Sequence, residues 1–185
     1  MKIGCVLLAS GLSKRFGRNK LVEEFKGKAL IERTFDALPV ELFSDVVVAT
    51  AYDEIEEMAY ARGFRVVRNP HPETGIGGTV KLGVASMAGT DACMICVCDQ
   101  PCISKETLQG MIEAYRGGIM AASFDGHRGN PVIFHHSLYA ELLAIADSRS
   151  GKHVMEKHLD MLALFPVPDK RELKDIDYLH DIETF

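Results

Sequence analysis

A chain of 185 residues, 47% hydrophobic and 25% charged, can remove about 70% of its unfolded surface from water, and one domain over residues 1–185 is the default for such a length. The ordinary composition excludes collagen-like and disordered classes. The net charge of −5 argues against nucleic acid as a partner, since its binders carry a basic face.

Residues 2–9 are an apolar run containing Ile3, Val6, Leu7 and Leu8, closed by Ser10-Gly11. Such a run reads as a strand buried on both faces, the signature of a parallel sheet. It is too short for a signal peptide, and the basic cluster follows it. No stretch approaches the ~20 apolar residues of a membrane span, so a cytoplasmic protein with no membrane partner is expected. Residues 29–38 carry Leu30, Ile31, Thr34, Phe35 and Leu38 at helical spacing. Val46-Val47-Val48 marks a second strand. Asp53 with Glu56 reads as a capping box opening a helix to about Arg62, with Gly63 as its stop, and residues 64–67 form a third strand. The Pro- and Gly-rich stretch 69–78 reads as a loop, followed by a helix over 79–87. Residues 92–98 are the next buried strand, ended by Asp99-Gln100-Pro101. Ser104 caps a helix to about Tyr115. A strand over 119–124, a turn over 125–129 and a strand over 131–134 follow. Residues 137–146 and 152–158 read as helical, 162–167 as a late strand, and the tail from Tyr178 as a short helix. Strands alternating with helices predict an α/β fold with a mostly parallel sheet. The region 126–131 interrupts the alternation, as an antiparallel excursion or a substrate-side subregion.

The most informative segment follows the first strand: Leu8-Ala9-Ser10-Gly11-Leu12-Ser13-Lys14-Arg15-Phe16-Gly17-Arg18-Asn19-Lys20. Ligands of parallel sheets bind at the carboxyl ends of strands. Small residues there let backbone approach a phosphate or a base, and Arg15 and Lys20 supply a fork and a point charge for phosphate oxygens. The pattern is neither a Walker A loop nor a dinucleotide fingerprint. On spacing alone it reads equally as a solvated basic turn. Asp99, at the end of a strand, is a hard oxygen ligand of the kind that holds Mg²⁺; the alternative, a helix cap, is better served by Ser104.

Residues 8–20 resemble the L-A-[AG]-G-x-S-x-R-[MF]-G-x-x-K signature of nucleotidyltransferases with a Rossmann-type, three-layer α/β/α fold. Ser10 stands where that family has Ala or Gly, and Phe16 where it more often has Met. The resemblance implies that Leu8, Ala9, Ser10, Gly11 and Ser13 cradle a nucleotide and that Arg15 and Lys20 bind its triphosphate. Asp99-Gln100-Pro101 matches the family's D-[MQ]-P turn, whose Asp binds Mg²⁺. The Gln form resembles the molybdenum cofactor cytidylyltransferase branch. Residues 126–134, with Arg128, Gly129, Asn130 and Pro131, resemble that branch's acceptor segment. Asp175-Ile176-Asp177 is similar to a terminal D-I-D motif, and the resemblance makes Asp177 a candidate second metal contact; the alternative is that both carboxylates cap the terminal helix. Asn69, Gly75, Gly78 and Thr79 match the stretch that holds base and ribose. The family's G-D-x-G-A-R segment maps poorly onto residues 147–152.

The resemblance thus implies a Mg²⁺-dependent transfer of CMP from CTP to a phosphorylated pterin, with release of pyrophosphate. GTP, another phosphorylated acceptor, or a non-catalytic protein delivering cofactor to a molybdoenzyme or its chaperone are the alternatives. Arg15, Lys20 and Asp99 are the expected catalytic residues. Cys93 and Cys96 have C-x-x-C spacing, but an apolar strand sends them to opposite faces, so small buried hydrophobes are expected rather than a metal or redox pair. Cys98 and Cys102 flank the Asp99 turn and are expected to be oxidation-sensitive.

Overall fold

The computed structural model describes residues 1–185. Its elements run in chain order: β1 (Ile3–Ala9), the hairpin β2 (Glu24–Phe25) and β3 (Lys28–Ala29), α1 (Leu30–Ala37), β4 (Asp45–Thr50), α2 (Asp53–Ala61), β5 (Arg65–Arg68), α3 (Ile76–Ala85), β6 (Ala92–Val97), α4 (Lys105–Ala114), β7 (Ile119–Phe124), β8 (His127–His135), α5 (Tyr139–Leu143), α6 (Lys152–Lys157), β9 (Leu162–Pro166) and α7 (Leu179–Thr184). A seven-stranded sheet has the order β5-β4-β1-β6-β8-β7-β9. All neighbours pair in parallel except β8, which runs antiparallel to both β6 and β7.

The two periodicities of the sequence build the layers. Along β1, Cys5, Leu7 and Ala9 enter the core shared with Ile31 and Phe35 of α1, Ile55 of α2 and Met111 of α4. Val6 enters the opposite core, with Val80 and Val84 of α3, Leu142 of α5 and Val154 of α6. The fold is therefore the expected three-layer α/β/α arrangement. Strand order reverses direction at β1, between β4 and β6, which makes the carboxyl ends of β1 and β6 the switch point where ligands of such sheets bind. A small third cluster joins Phe16, Phe25, Leu30 and Ile176, with Phe185 edge-on to Phe25 at 5.5 Å. It fastens the C-terminal segment to the loop after β1. No helix is long and apolar enough to cross a membrane.

Several local expectations are corrected. Asp53 and Glu56 form no capping box: α2 begins after Tyr52 without a side-chain cap, and both carboxylates pair instead with Arg68 of β5. The helix expected over 79–87 begins earlier, at Ile76, because Gly77 allows its first turn to lie against the chain after α5. A Cβ on Gly77 would stand 2.4 Å from the Ala146 carbonyl oxygen, and its N–H donates to the Asp147 carbonyl at 2.8 Å. The turn expected over 125–129 is only the pair Asp125-Gly126, both at positive φ, the Asp-Gly signal of a tight hairpin; β8 starts at His127. The interruption near 126–131 is thus an antiparallel strand, and its register against β7 shifts between Ala121 and Ser123, which sets Gly129 and Asn130 in a bulge at the carboxyl edge. The helix expected over 137–146 shortens to α5. Gly63, at positive φ, ends α2 as expected.

Candidate active site

The loop after β1 is shaped by its own short hydrogen bonds. Ser13 takes positive φ, and its carbonyl accepts the N–H groups of Phe16 at 2.9 Å and Gly17 at 3.0 Å. Its hydroxyl accepts the Lys20 N–H at 3.2 Å. Asn19 accepts from the Leu21 N–H, starting a single turn that returns Lys20 beneath the loop. With Phe16 buried in the third cluster, the basic stretch is a folded platform rather than a solvated turn.

Lys20 is the centre of the site. Its ammonium donates to Asp99 Oδ2 at 2.7 Å, to the Ile176 carbonyl at 2.7 Å and to Asp177 Oδ1 at 3.3 Å. Three acceptors use its three protons. The side chain is only 12% exposed. Burial works against its charge, but Asp99 and Asp177 outweigh that and hold its pKa above the ordinary value. Arg15 Nη1 donates to the other Asp177 oxygen at 2.8 Å. Both cations expected at the triphosphate are therefore engaged by one carboxylate. Arg18 turns away to pair with Glu23, and Lys14 lines the neighbouring cleft.

Asp99 Oδ1 is buried and has no hydrogen-bond partner. No three His, Cys, Asp or Glu side chains converge on one point. Mg²⁺ does not require that, since it commonly takes one or two protein carboxylates with waters and substrate phosphates. The orphaned oxygen of Asp99, with Asp177 across Lys20, is a donor set that fits such an ion. The helix-capping account of Asp175 and Asp177 is corrected: Asp181 accepts the N–H groups of Asp177 at 2.9 Å and Tyr178 at 2.8 Å and caps α7 itself.

Asp175 stands beside this group. Its residue surface is exposed, yet its carboxyl is hemmed in by protein. That loss of hydration, with the Asp99 charge, pushes its pKa up to about 6 against a hydrogen bond from Gln100. A carboxyl whose folded pKa is raised opposes folding once pH exceeds its unfolded value, and does so fully above the folded pKa. Asp175→Asn is therefore expected to melt higher than the wild type near neutral pH in the absence of divalent ions. The two melting curves should converge below roughly pH 4, where both states carry the proton. Thermal melts across that range check this; a gain that persists at the acid end would rule out the charge as its cause.

Two clefts open on the carboxyl edge. One, of about 360 Å³, lies between Ser10–Lys20, Gly75–Thr79 and the Asp99 turn. The other, of about 490 Å³, lies over β8. They meet at Leu8, Ile76 and Val97. Ser10, Gly11, Ser13, Lys20, Gly75, Thr79 and Asp99 line the first as expected. Arg128, Gly129 and Asn130 line the second. Other assignments change. Ala9 is fully buried in the helix-facing core. The Ser10 hydroxyl is spent on the Ala49 carbonyl at 3.0 Å, so only its backbone is free for a ligand. Asn69 is buried and donates to Thr79 Oγ1 at 3.0 Å; it braces the loop from behind. Gly78 does not line either cleft and packs near Thr74. Pro131 is buried behind the bulge. The segment that mapped poorly supplies Ser150, Gly151 and Lys152 to the larger cleft. Its Asp147 pairs with Lys81.

Cys93 and Cys96 enter opposite cores, as expected. Cys98 is 1% exposed, and burial raises its thiol well above the usual range. The expectation that it is oxidation-sensitive is corrected, since the thiolate is the reactive form. Cys102 is half-buried on the far side of the turn, away from both clefts.

The sequence matches the family model described as MobA-like NTP transferase domain over residues 5–162. The nicotine blue oxidoreductase of Paenarthrobacter nicotinovorans is 24% identical over 93% of this chain and 90% of its own length. A probable molybdenum cofactor guanylyltransferase of Pelotomaculum thermopropionicum is 30% identical over 71% of this chain and 62% of its own. Among solved structures, a nucleotidyl transferase from Methanothermobacter thermautotroptrophicus superposes with TM-score 0.84 at 23% identity, covering 99% of this chain and 95% of that one. A CMP:2-keto-3-deoxy-manno-octonic acid synthetase complexed with CTP does so with TM-score 0.75 at 15% identity, covering 100% and 96%. At these identities the structural likeness is one of fold.

Proposed function

Because the chain belongs to the family of MobA-like NTP transferase domains and is a nucleotidyltransferase, we propose that it transfers CMP from CTP to the terminal phosphate of a pterin phosphate, the acceptor of molybdenum cofactor maturation, with Mg²⁺ as cofactor. The observation that supports nucleotidyl transfer at this site is the cage around Lys20, which draws the loop after β1, the Asp99 turn and the C-terminal segment together at the carboxyl ends of β1 and β6.

The acceptor phosphate attacks the α-phosphorus in line and pyrophosphate leaves, with no covalent enzyme intermediate. Such a transfer depends on positioning and charge neutralisation more than on a nucleophilic side chain. Arg15 and Lys20 hold the triphosphate, Lys20 by exchanging one of its carboxylate partners for a phosphate oxygen; the Gly11 backbone and the Gly75–Thr79 turn flank the nucleoside. Asp99 and Asp177 would hold Mg²⁺, which when bound neutralises triphosphate charge. The larger cleft, with Arg128 and Lys152 at its polar wall, receives the acceptor, and its junction with the nucleotide cleft brings the two substrates together. A molybdoenzyme or its chaperone would take the product.

The cytidylyl reading rests on Asp99-Gln100-Pro101 and on residues 126–134. A second reading, GTP as donor, is favoured by relatives named as probable molybdenum cofactor guanylyltransferases. Thermal melts with CTP, GTP, ATP and UTP, each with and without Mg²⁺, separate them. A ligand at 100 times its Kd stabilises by about 2.7 kcal/mol, which moves the midpoint of a domain this size by roughly 5–11 °C. A Mg²⁺-dependent shift with CTP alone is expected. A shift with GTP alone moves the donor to guanosine, and no shift with any nucleotide would sink the nucleotide assignment.

A further inference from the structure

Asp177 reaches the site from a C-terminal segment that is remote in sequence, so something must hold that segment against the Asp99 turn. The fastening is specific. Gln100 is 3% exposed, and its side-chain Nε2 donates to the Leu173 carbonyl at 3.1 Å and to Asp175 Oδ1 at 2.9 Å. One residue earlier, the Asp99 carbonyl accepts the Ile176 N–H at 2.9 Å. Ile176, fully buried, plugs the third cluster, and its own carbonyl accepts from Lys20. The chain from 173 to 177 thus lies along residues 99–100 through three hydrogen bonds, two of them made by one amide side chain.

We propose that Gln100 is a positioning residue: its amide latches Leu173 and Asp175 to the Asp99 turn and so sets Asp177 opposite Asp99 as the second carboxylate of a divalent-cation site. The inference rests on the metal reading above. A buried amide whose two protons both go to one strand of chain fixes that strand's register; an apolar side chain of the same length fills the space and leaves the register free. Asp175 acts in this latch as an acceptor of hydrogen bonds and not as a ligand. It follows that an uncharged acceptor at 175 serves, and a methyl does not.

The test uses Mn²⁺ as the probe, with its affinity read by electron paramagnetic resonance, and amide exchange at Ile176 as a second readout independent of any metal. Gln100→Met is expected to unfold in one cooperative transition at a somewhat lower temperature, because two acceptors lose their donor, to exchange faster at Ile176 and to bind Mn²⁺ about tenfold more weakly, the lower end of what loss of an outer partner costs a metal site. Asp175→Asn is expected to lose clearly less Mn²⁺ affinity than Asp175→Ala, which is expected to behave like Gln100→Met. Wild-type Mn²⁺ affinity in Gln100→Met overturns the proposal. So does Asp175→Asn weakening the site as much as Asp175→Ala, because Asp175 would then act through its charge. Failure of the wild type to bind Mn²⁺ overturns the metal reading instead, and the exchange rate at Ile176 then decides the latch by itself.

Discussion

Asp99→Asn is expected to lower the rate of pyrophosphate release on the order of 100- to 1,000-fold while leaving the fold in place. The reason lies in the two oxygens of Asp99. Oδ2 accepts from Lys20 at 2.7 Å, and Oδ1 is buried without a partner. In the variant, the one remaining side-chain oxygen would stay with the Lys20 ammonium, since the NH₂ group cannot accept a hydrogen bond. That choice turns the NH₂ toward the position of Oδ1, so the atom proposed to meet a cation becomes a donor with positive hydrogens. Loss of a carboxylate from a catalytic metal site removes several kcal/mol of charge stabilisation, and each 1.36 kcal/mol is a factor of ten in rate. Stability is expected to change little, because Lys20 keeps the Ile176 carbonyl and Asp177. The measurement is single-turnover pyrophosphate release at saturating nucleotide, beside a thermal melt. Release at the wild-type rate would remove Asp99 from the metal role. Loss of release together with loss of the melt would show only that the variant fails to fold.

What the sequence revealed of this site, and what it did not, divides along sequence separation. Residues 8–20 were legible because their hydrogen bonds are local: Ser13 to Phe16, Gly17 and Lys20 lie within seven positions, so a linear pattern can encode the whole platform. The strands β1, β4 and β6 were legible because burial on both faces leaves uninterrupted apolar runs. The partners of Lys20 were not legible as partners, since 79 positions separate it from Asp99 and 157 from Asp177. Gln100 could be seen as one letter of a motif, but its role depends on Leu173 and Asp175, which no spacing rule connects to it. The capping box at Asp53 failed for a related reason: the helix starts one residue earlier than the local rule assumes, after Tyr52, and Asp53 and Glu56 meet Arg68 of the neighbouring strand instead. The β2–β3 hairpin carried only the positive-φ pair Lys26-Gly27 as its signal, too little beside two-residue strands. Gly77 was invisible because its requirement for no side chain is imposed by carbonyls of residues 146–149.

Lys20→Met is expected to damage stability and nucleotide binding together, and to reverse part of the stability loss when a divalent ion is added. Removing the ammonium leaves Asp99 and Asp177 facing each other, with Asp175 nearby and Arg15 as the remaining cation on Asp177. Breaking a fully buried pair costs about 3–5 kcal/mol. Asp99 and Asp177 remain 22% and 44% exposed, so solvent screening reduces the expected loss to roughly 1–3 kcal/mol, a fall in Tm of roughly 2–12 °C. The proposed contact to phosphate is charge-assisted; its loss would cost about 1.5–3 kcal/mol and weaken nucleotide binding about 10- to 150-fold. The sign of the metal effect separates this account from simple loss of packing. In the wild type a divalent ion must share the carboxylates with an ammonium, whereas in Lys20→Met it meets two uncompensated charges. Mg²⁺ should therefore raise the melting temperature of the variant by more than that of the wild type. A variant that melts like the wild type, or that gains no more from Mg²⁺ than the wild type does, would mean that the cage around Lys20 is not what holds these carboxylates together.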